Sequence, residues 1–228
     1  MPVGIITGAS RGLGLALARE LAADGWRLVI DARGTGELID AAAELGELGE
    51  VIALAGDVSS DWHRRGLIAA AGDRIDLLVN NASVLGPSPQ PRLADYAQTE
   101  IEQVYRVNVF APLALAQLAI RRMGPGGVVL NVTSDAASEA YEGWGGYGSS
   151  KAALEQISAV LGAEHPDLRV YAVDPGDMRT RMHQEAFPGE DISDRPPPEA
   201  SVPALLELIR GDRSSGRYRA DDLLGVEA

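Results

Sequence analysis

Val3-Gly4-Ile5-Ile6-Thr7-Gly8-Ala9-Ser10-Arg11-Gly12-Leu13-Gly14, followed by Leu15-Ala16-Leu17-Ala18-Arg19-Glu20-Leu21-Ala22-Ala23, is the stretch that decides the fold. Val3 to Thr7 is an apolar run without clear alternation, which suits a strand buried on both faces of a parallel sheet. Leu15 to Ala23 is rich in strong helix formers, and Asp24-Gly25 ends it. Between them lie Gly8, Gly12 and Gly14. Glycines in a strand–turn–helix context let the backbone approach a pyrophosphate, whose charge then sits at the helix N-terminus. Glycines that merely shape a tight turn are the alternative reading.

The same alternation continues outward. Strands are expected at Arg27–Asp31, Val51–Leu54, Ile75–Val79, Gly126–Asn131 and Leu168–Val173, with a short edge strand at Gly216–Arg219. Helices are expected at Glu37–Leu48, after Ser59 or Ser60, from Gln98 to Arg122, from Tyr147 to about Ala163, and at Pro203–Ile209. In the helix after Ser60, Trp62, Leu67 and Ile68 are expected to face inward. Gly86-Pro87-Ser88-Pro89-Gln90-Pro91 reads as loop. Strand and helix alternating throughout imply one doubly wound parallel sheet, an α/β fold, spanning residues 1–228 as a single domain. The polar, proline-rich segment 177–200 reads as an irregular substrate loop or lid.

Composition bounds the function. Of 228 residues, 46% are apolar and 23% charged, as in a globular protein. There is no cysteine, which excludes disulfides, thiolate metal sites and cysteine nucleophiles. His63, His165 and His183 are far apart in sequence, so no metal site is expected. The net charge of −13 argues against nucleic acid as a partner. No apolar run approaches the roughly 20 residues of a membrane span, and the N-terminus lacks a signal peptide, so a cytoplasmic location is expected.

Tyr147-Gly148-Ser149-Ser150-Lys151 carries the chemistry. On a helix, Tyr147 and Lys151 share one face. A phenol beside an ammonium can give and take a proton; a packed ring and a solvated amine are the plainer reading. Ser134 falls near the C-terminal end of a central strand, where ligands bind in such sheets. Asn108 falls inside a helix, where asparagine has poor propensity. Asn80 and Asn81 follow the fourth strand and can tie its loop to a neighbour. Asp57 can accept a hydrogen bond from an adenine amino group, or be a solvated turn carboxylate. Tyr141 and Trp144 can line a substrate pocket or cover the next helix.

Taken together, the motifs resemble the short-chain dehydrogenase/reductase family, classical type, over nearly the whole chain. Thr7-Gly8-x-x-x-Gly12-x-Gly14, Asp57-Val58, Asn80-Asn81-Ala82, Asn108-Val109, Ser134, Tyr147-x-x-x-Lys151 and Pro175-Gly176 follow in the family's order, with Ser134 13 residues before Tyr147. The resemblance implies a Rossmann-type sheet of about seven strands in the order 3-2-1-4-5-6-7, with helices on both faces. It implies hydride transfer between a nicotinamide and a small carbonyl or alcohol. Tyr147 is then the general acid for reduction and base for oxidation. Lys151 lowers its pKa and holds the nicotinamide ribose. Ser134 hydrogen-bonds the substrate oxygen. Asn108 distorts its helix and holds a water that connects Lys151 to solvent. Cofactor contacts fall to Gly8, Ser10, Arg11, Gly12, Leu13, Gly14, Arg33, Asp57, Val58, Asn80, Ala82, Tyr147, Lys151, Pro175, Gly176 and Thr180. Ser134, Tyr141 and Trp144 line the substrate side. Ser83 departs from the family, which usually has glycine there, and narrows the room near the cofactor.

Counted against the family pattern, Ala32 falls where NAD-binding sheets carry an acid, and Arg33 follows directly. Asp31 is one residue early, on the opposite strand face. With Arg11 as a second phosphate partner, NADP(H) is favoured over NAD(H). The reading is an NADP(H)-dependent reductase. The alternatives are an NAD-dependent alcohol dehydrogenase, a 3-ketoacyl-acyl-carrier reductase with Arg121, Arg122, Arg179 and Arg181 as a basic entrance, and a non-catalytic dinucleotide-binding regulatory protein. The resemblance also suggests a homodimer or homotetramer.

Overall fold

A computed structural model describes residues 1–225; the last three residues of the expected 1–228 span lie outside the described part. Seven strands form one sheet: β1 (Val3–Ile6), β2 (Arg27–Ala32), β3 (Val51–Ala55), β4 (Leu77–Asn80), β5 (Val128–Val132), β6 (Arg169–Asp174) and β7 (Gly216–Arg219). Their order is β3-β2-β1-β4-β5-β6-β7 and every neighbouring pair is parallel. The connecting helices are α1 (Gly12–Ala23), α2 (Thr35–Gly46), α3 (Asp61–Ala71), α4 (Gln98–Tyr105), α5 (Ala111–Ala119), α6 (Gly145–Glu164), α7 (Arg181–Ala186), α8 (Val202–Arg210) and α9 (Ala220–Leu224). The order of strands reverses between β1 and β4, which opens a crevice at their C-terminal ends.

Successive strand residues serve opposite faces, as the pleat requires. Ile6, Leu28, Ile30, Leu77, Val79 and Leu130 pack against Leu17 and Leu21 of α1, Leu38 and Leu45 of α2, and Leu205 and Leu208 of α8. Ile5, Val29, Leu78, Val129 and Val170 pack on the other side against Leu67 and Ile68 of α3, Leu115 of α5 and Leu161 of α6. This double burial is why the strands read as unbroken apolar runs. Leu17 is fully buried between α1 and the sheet. Leu17→Ala is expected to destabilise the fold by about 2–5 kcal/mol, read as a lower urea midpoint at unchanged slope. A loss below about 1 kcal/mol would contradict this packing.

Three local expectations need correction. Trp62 is 82% exposed. The buried stripe of α3 is His63, Leu67, Ile68 and Ala71, and Trp62 falls off it at helical spacing. The helix expected over Gln98–Arg122 is not continuous. It widens into a π turn at Arg106–Phe110 between α4 and α5, and tightens to 3₁₀ at Ile120–Arg122. The segment from Arg181 is not wholly irregular, since it opens with α7, capped by the Thr180 hydroxyl accepting from His183 N–H. Among the described residues, no helix is long and apolar enough to cross a membrane.

Candidate active site

A cleft of about 1330 Å³ runs along the C-terminal ends of the central strands. Its floor is the turn after β1. Gly8 has φ +66, and a Cβ there would sit 2.9 Å from Ala82 Cα, so only glycine lets the two loops meet. They are tied where they meet. Asn81 Nδ2 donates to Thr7 O at 2.9 Å and Gly8 O at 3.0 Å. Thr7 Oγ1 accepts from the Asn81 and Ala82 amides at 3.1 and 3.0 Å. From the other side, Gly8 N–H donates to Asp31 Oδ1 at 2.8 Å. The second Asp31 oxygen meets His63 Nε2 at 2.9 Å, and both side chains are buried. That buried pair is not legible from sequence, because its members are 32 residues apart and the packing of α3 against β2 brings them together.

Gly8, Ser10, Arg11, Gly12, Leu13, Arg33, Asp57, Val58, Ala82, Pro175, Gly176 and Thr180 all line the cleft. Two expected cofactor residues do not. Asn80 points into the sheet, where its Nδ2 donates to Asn131 Oδ1 at 2.7 Å; Asn81 lines the cleft instead. Gly14 lies beneath the turn, and a Cβ on it would come within 2.6 Å of Asn81 Nδ2. Its role is to let α1 pack under the turn.

The proton-handling group sits farther along. Tyr147 and Lys151 face the cleft from the first two turns of α6 and are nearly inaccessible, at 7% and 2% exposure. Lys151 Nζ donates to Val132 O at 2.8 Å and lies 5.4 Å from the centre of the Tyr147 ring. Ser134, just past β5, donates its hydroxyl to Asp135 Oδ1 at 2.9 Å. The nearby Ser134 and Ser83 hydroxyls favour the ionised form of the Tyr147 phenol. Burial outweighs them and, with the negative charges of Asp174 and Asp135, pushes the phenol's pKa up from its ordinary value. The lowering expected from Lys151 therefore does not prevail in this structure. Lys151 itself is brought down to about 8 by burial.

Asn108 lies in the π turn and is not part of the cleft wall. Its Nδ2 donates to Val84 O at 2.9 Å and Ser150 Oγ at 3.0 Å. Its Oδ1 accepts from Val84 N–H at 2.9 Å and Ser83 Oγ at 3.1 Å. All four hydrogen-bonding positions of the amide are taken. The side chain is therefore fully engaged within the protein. What the side chain does is staple the β4 loop to α6. Ser83 completes the staple, so the one departure from the family's glycine is an integral part of the site.

On the substrate side, Trp144 lines the cleft with its ring 5.8 Å from Tyr147 and 5.8 Å from Phe187. Tyr141 does not line it. Its half-exposed ring meets Trp144 edge-on at 6.3 Å, and its hydroxyl donates to Asp135 Oδ2 at 2.9 Å. Arg179, Arg181, Met182 and His183, from the segment expected as a lid, form the remaining wall. Of the expected basic entrance, Arg122 instead donates to the carbonyls of Ile68 and Gly72, under the opposite end of the sheet. Asp174 was not singled out from the sequence. It is buried at the end of β6, with Oδ1 accepting from Gly176 N–H at 3.1 Å and Oδ2 3.5 Å from Arg217.

Residues 2–191 match the sequence profile of the family described as short chain dehydrogenase. The chain is 31% identical to sepiapterin reductase of Mus musculus, over 80% of this chain and 76% of that protein. It is 34% identical to the rhamnolipids biosynthesis 3-oxoacyl-[acyl-carrier-protein] reductase of Pseudomonas aeruginosa, over 79% and 74% of the two chains. An alcohol dehydrogenase of Thermococcus sibiricus, solved in complex with 5-hydroxy-NADP, superposes with a TM-score of 0.84 at 28% identity, covering 96% of this chain and 95% of that one.

Proposed function

The chain belongs to the short-chain dehydrogenase family, and on that premise we propose that it is a cytoplasmic, single-domain, NADP(H)-dependent reductase of small carbonyl compounds. The observation that carries this reading is the meeting of Ser134, Tyr147 and Lys151 on one wall of a cleft whose floor is the glycine turn. The floor fits a dinucleotide. Gly12, at φ +58, opens the turn onto the cleft, where a Cβ would meet only Thr180 Cγ2 at 3.8 Å, and the N-terminus of α1 that begins there has no side-chain cap to occupy its first amides. The bound nicotinamide supplies the hydride.

The chain's own residues supply position and proton. Tyr147 is held in its protonated form by burial and by two nearby carboxylates, so it is the acid that delivers a proton to a carbonyl oxygen. Ser134 turns its hydroxyl from Asp135 to that oxygen and steadies the charge that develops there. Lys151 places a buried cation behind the phenol, anchored on Val132 O, and holds the nicotinamide ribose. In the direction of alcohol oxidation the same groups act in reverse.

NADP(H) is favoured by a specific arrangement. Asp31, the only acid at the end of β2, is already engaged by Gly8 N–H and His63, so it is not free to hold a ribose diol. Arg33 and Arg11 face the cleft instead. Arg33→Ala is expected to weaken NADPH by about 10- to 100-fold and NADH by less than about threefold, measured by fluorescence titration. Equal losses would remove the phosphate role.

A second reading, reduction of 3-ketoacyl groups on an acidic carrier, is favoured by Arg179 and Arg181 at the cleft and by the Pseudomonas aeruginosa relative. A panel of small ketones, diketones and 3-ketoacyl thioesters, followed by oxidation of NADPH and of NADH, separates the readings. Cofactor binding without turnover on any of them would instead favour a regulatory binding protein.

A further inference from the structure

We propose that Glu37 narrows the preference of this chain for NADP(H), by holding Arg11 away from a 2′-phosphate and by offering a ribose hydroxyl an acceptor. The inference rests on the cofactor reading above. Arg11 stands in the glycine turn, Arg33 at the end of β2, and Glu37 in the first turn of α2, and all three line the same end of the cleft. The Arg11 guanidinium is ion-paired with the Glu37 carboxylate. The position of that carboxylate is set by its surroundings. A Cβ on Gly34 would lie 3.5 Å from Glu37 Oε2, so the oxygen rests over bare backbone of the β2–α2 turn. The N-terminal end of α2 favours a negative charge there.

A 2′-phosphate entering this corner must take Arg11 from Glu37 and then remain beside a fixed carboxylate. Both effects oppose it. A ribose 2′-hydroxyl meets neither penalty and can donate to Glu37. The carboxylate therefore narrows the preference for NADP(H) that Arg11 and Arg33 would set on their own. Both side chains of the pair are about half exposed, at 51% and 50%. The effect is accordingly moderate and weakens with salt.

The test is calorimetric titration of wild type and Glu37→Gln with adenosine 2′,5′-bisphosphate, ADP, NADPH and NADH, at low and moderate ionic strength. Thermal melts check that the two proteins are equally folded. Glu37→Gln is expected to tighten the bisphosphate and NADPH by about three- to tenfold at low salt, with a smaller gain as salt rises, and to leave ADP within about twofold. NADH is expected to stay level or weaken. No change for the bisphosphate, a weakening of it, or an equal change for ADP would overturn the proposal. If wild type binds ADP and NADH but neither ligand that carries a 2′-phosphate, the cofactor reading itself fails, and the inference falls with it.

Discussion

Tyr147→Phe lowers turnover about a thousandfold, within the 10²–10⁴ range of a lost general acid, and leaves NADPH affinity within about twofold. The substitution removes one buried oxygen and little else. The ring is 7% exposed and packs edge-on to Trp144 at 5.8 Å, a contact that phenylalanine keeps. The proposed cradle for the cofactor is built from other parts of the cleft, chiefly the turn after β1, the end of β2 and the turn after β6. Ser134 and Ser83 keep their hydrogen bonds to Asp135 and Asn108 respectively. Single-turnover reduction with NADPH and cofactor titration, side by side, read the two quantities. Turnover within tenfold of wild type would remove Tyr147 from the role of acid.

Lys151→Met is expected to lose activity and gain stability at neutral pH. The ammonium is buried, and its pKa falls from 10.5 to about 8. Between those two values the unfolded chain binds the proton and the native one does not, so stability rises with pH across that window. Below about 8 the buried charge destabilises the fold by its full amount, about 3 kcal/mol. The hydrogen bond to Val132 O offsets part of this, since removing it strands a buried carbonyl for about 1–2 kcal/mol. Methionine should therefore give a net gain of about 1–2 kcal/mol at pH 7 that disappears above pH 10.5. Turnover should fall at least about a hundredfold. Urea unfolding of both proteins at pH 7 and above pH 10.5 checks the sign. A methionine variant less stable at both pH values would show that Lys151 is structural. A gain at pH 7 with lost turnover marks a charge retained for function against the interest of the fold.

The parts of this account that were legible in the sequence depend on local rules. Val3 to Ala23 encodes strand, turn and helix through propensity and glycine placement, and strands buried on both faces encode a parallel sheet. Spacing along one helix brings Tyr147 and Lys151 together. Ala32 and Arg33 at the end of β2 could be placed by counting. The rest depends on contacts between distant segments. Asp31 of β2 pairs with His63 of α3. Tyr141 and Trp144 are three residues apart, yet only Trp144 lines the cleft, while Tyr141 is left half-exposed with its hydroxyl on Asp135 at the rim. Asn108 was visible as a residue out of place, but the π turn around it and its four partners were not. Glu37 gave no signal at all, since a glutamate in the first turn of a helix is ordinary.

The most direct test follows one atom. NADPH deuterated at the transferable hydrogen of nicotinamide C4 is incubated with the protein and the carbonyl that turns over fastest in the panel, and the product is analysed by mass spectrometry. Deuterium is expected on the new carbinol carbon with wild type, and at under about one hundredth of that rate with Tyr147→Phe. Cofactor oxidation with no label in the alcohol, or label transfer at an unchanged rate in Tyr147→Phe, would contradict it.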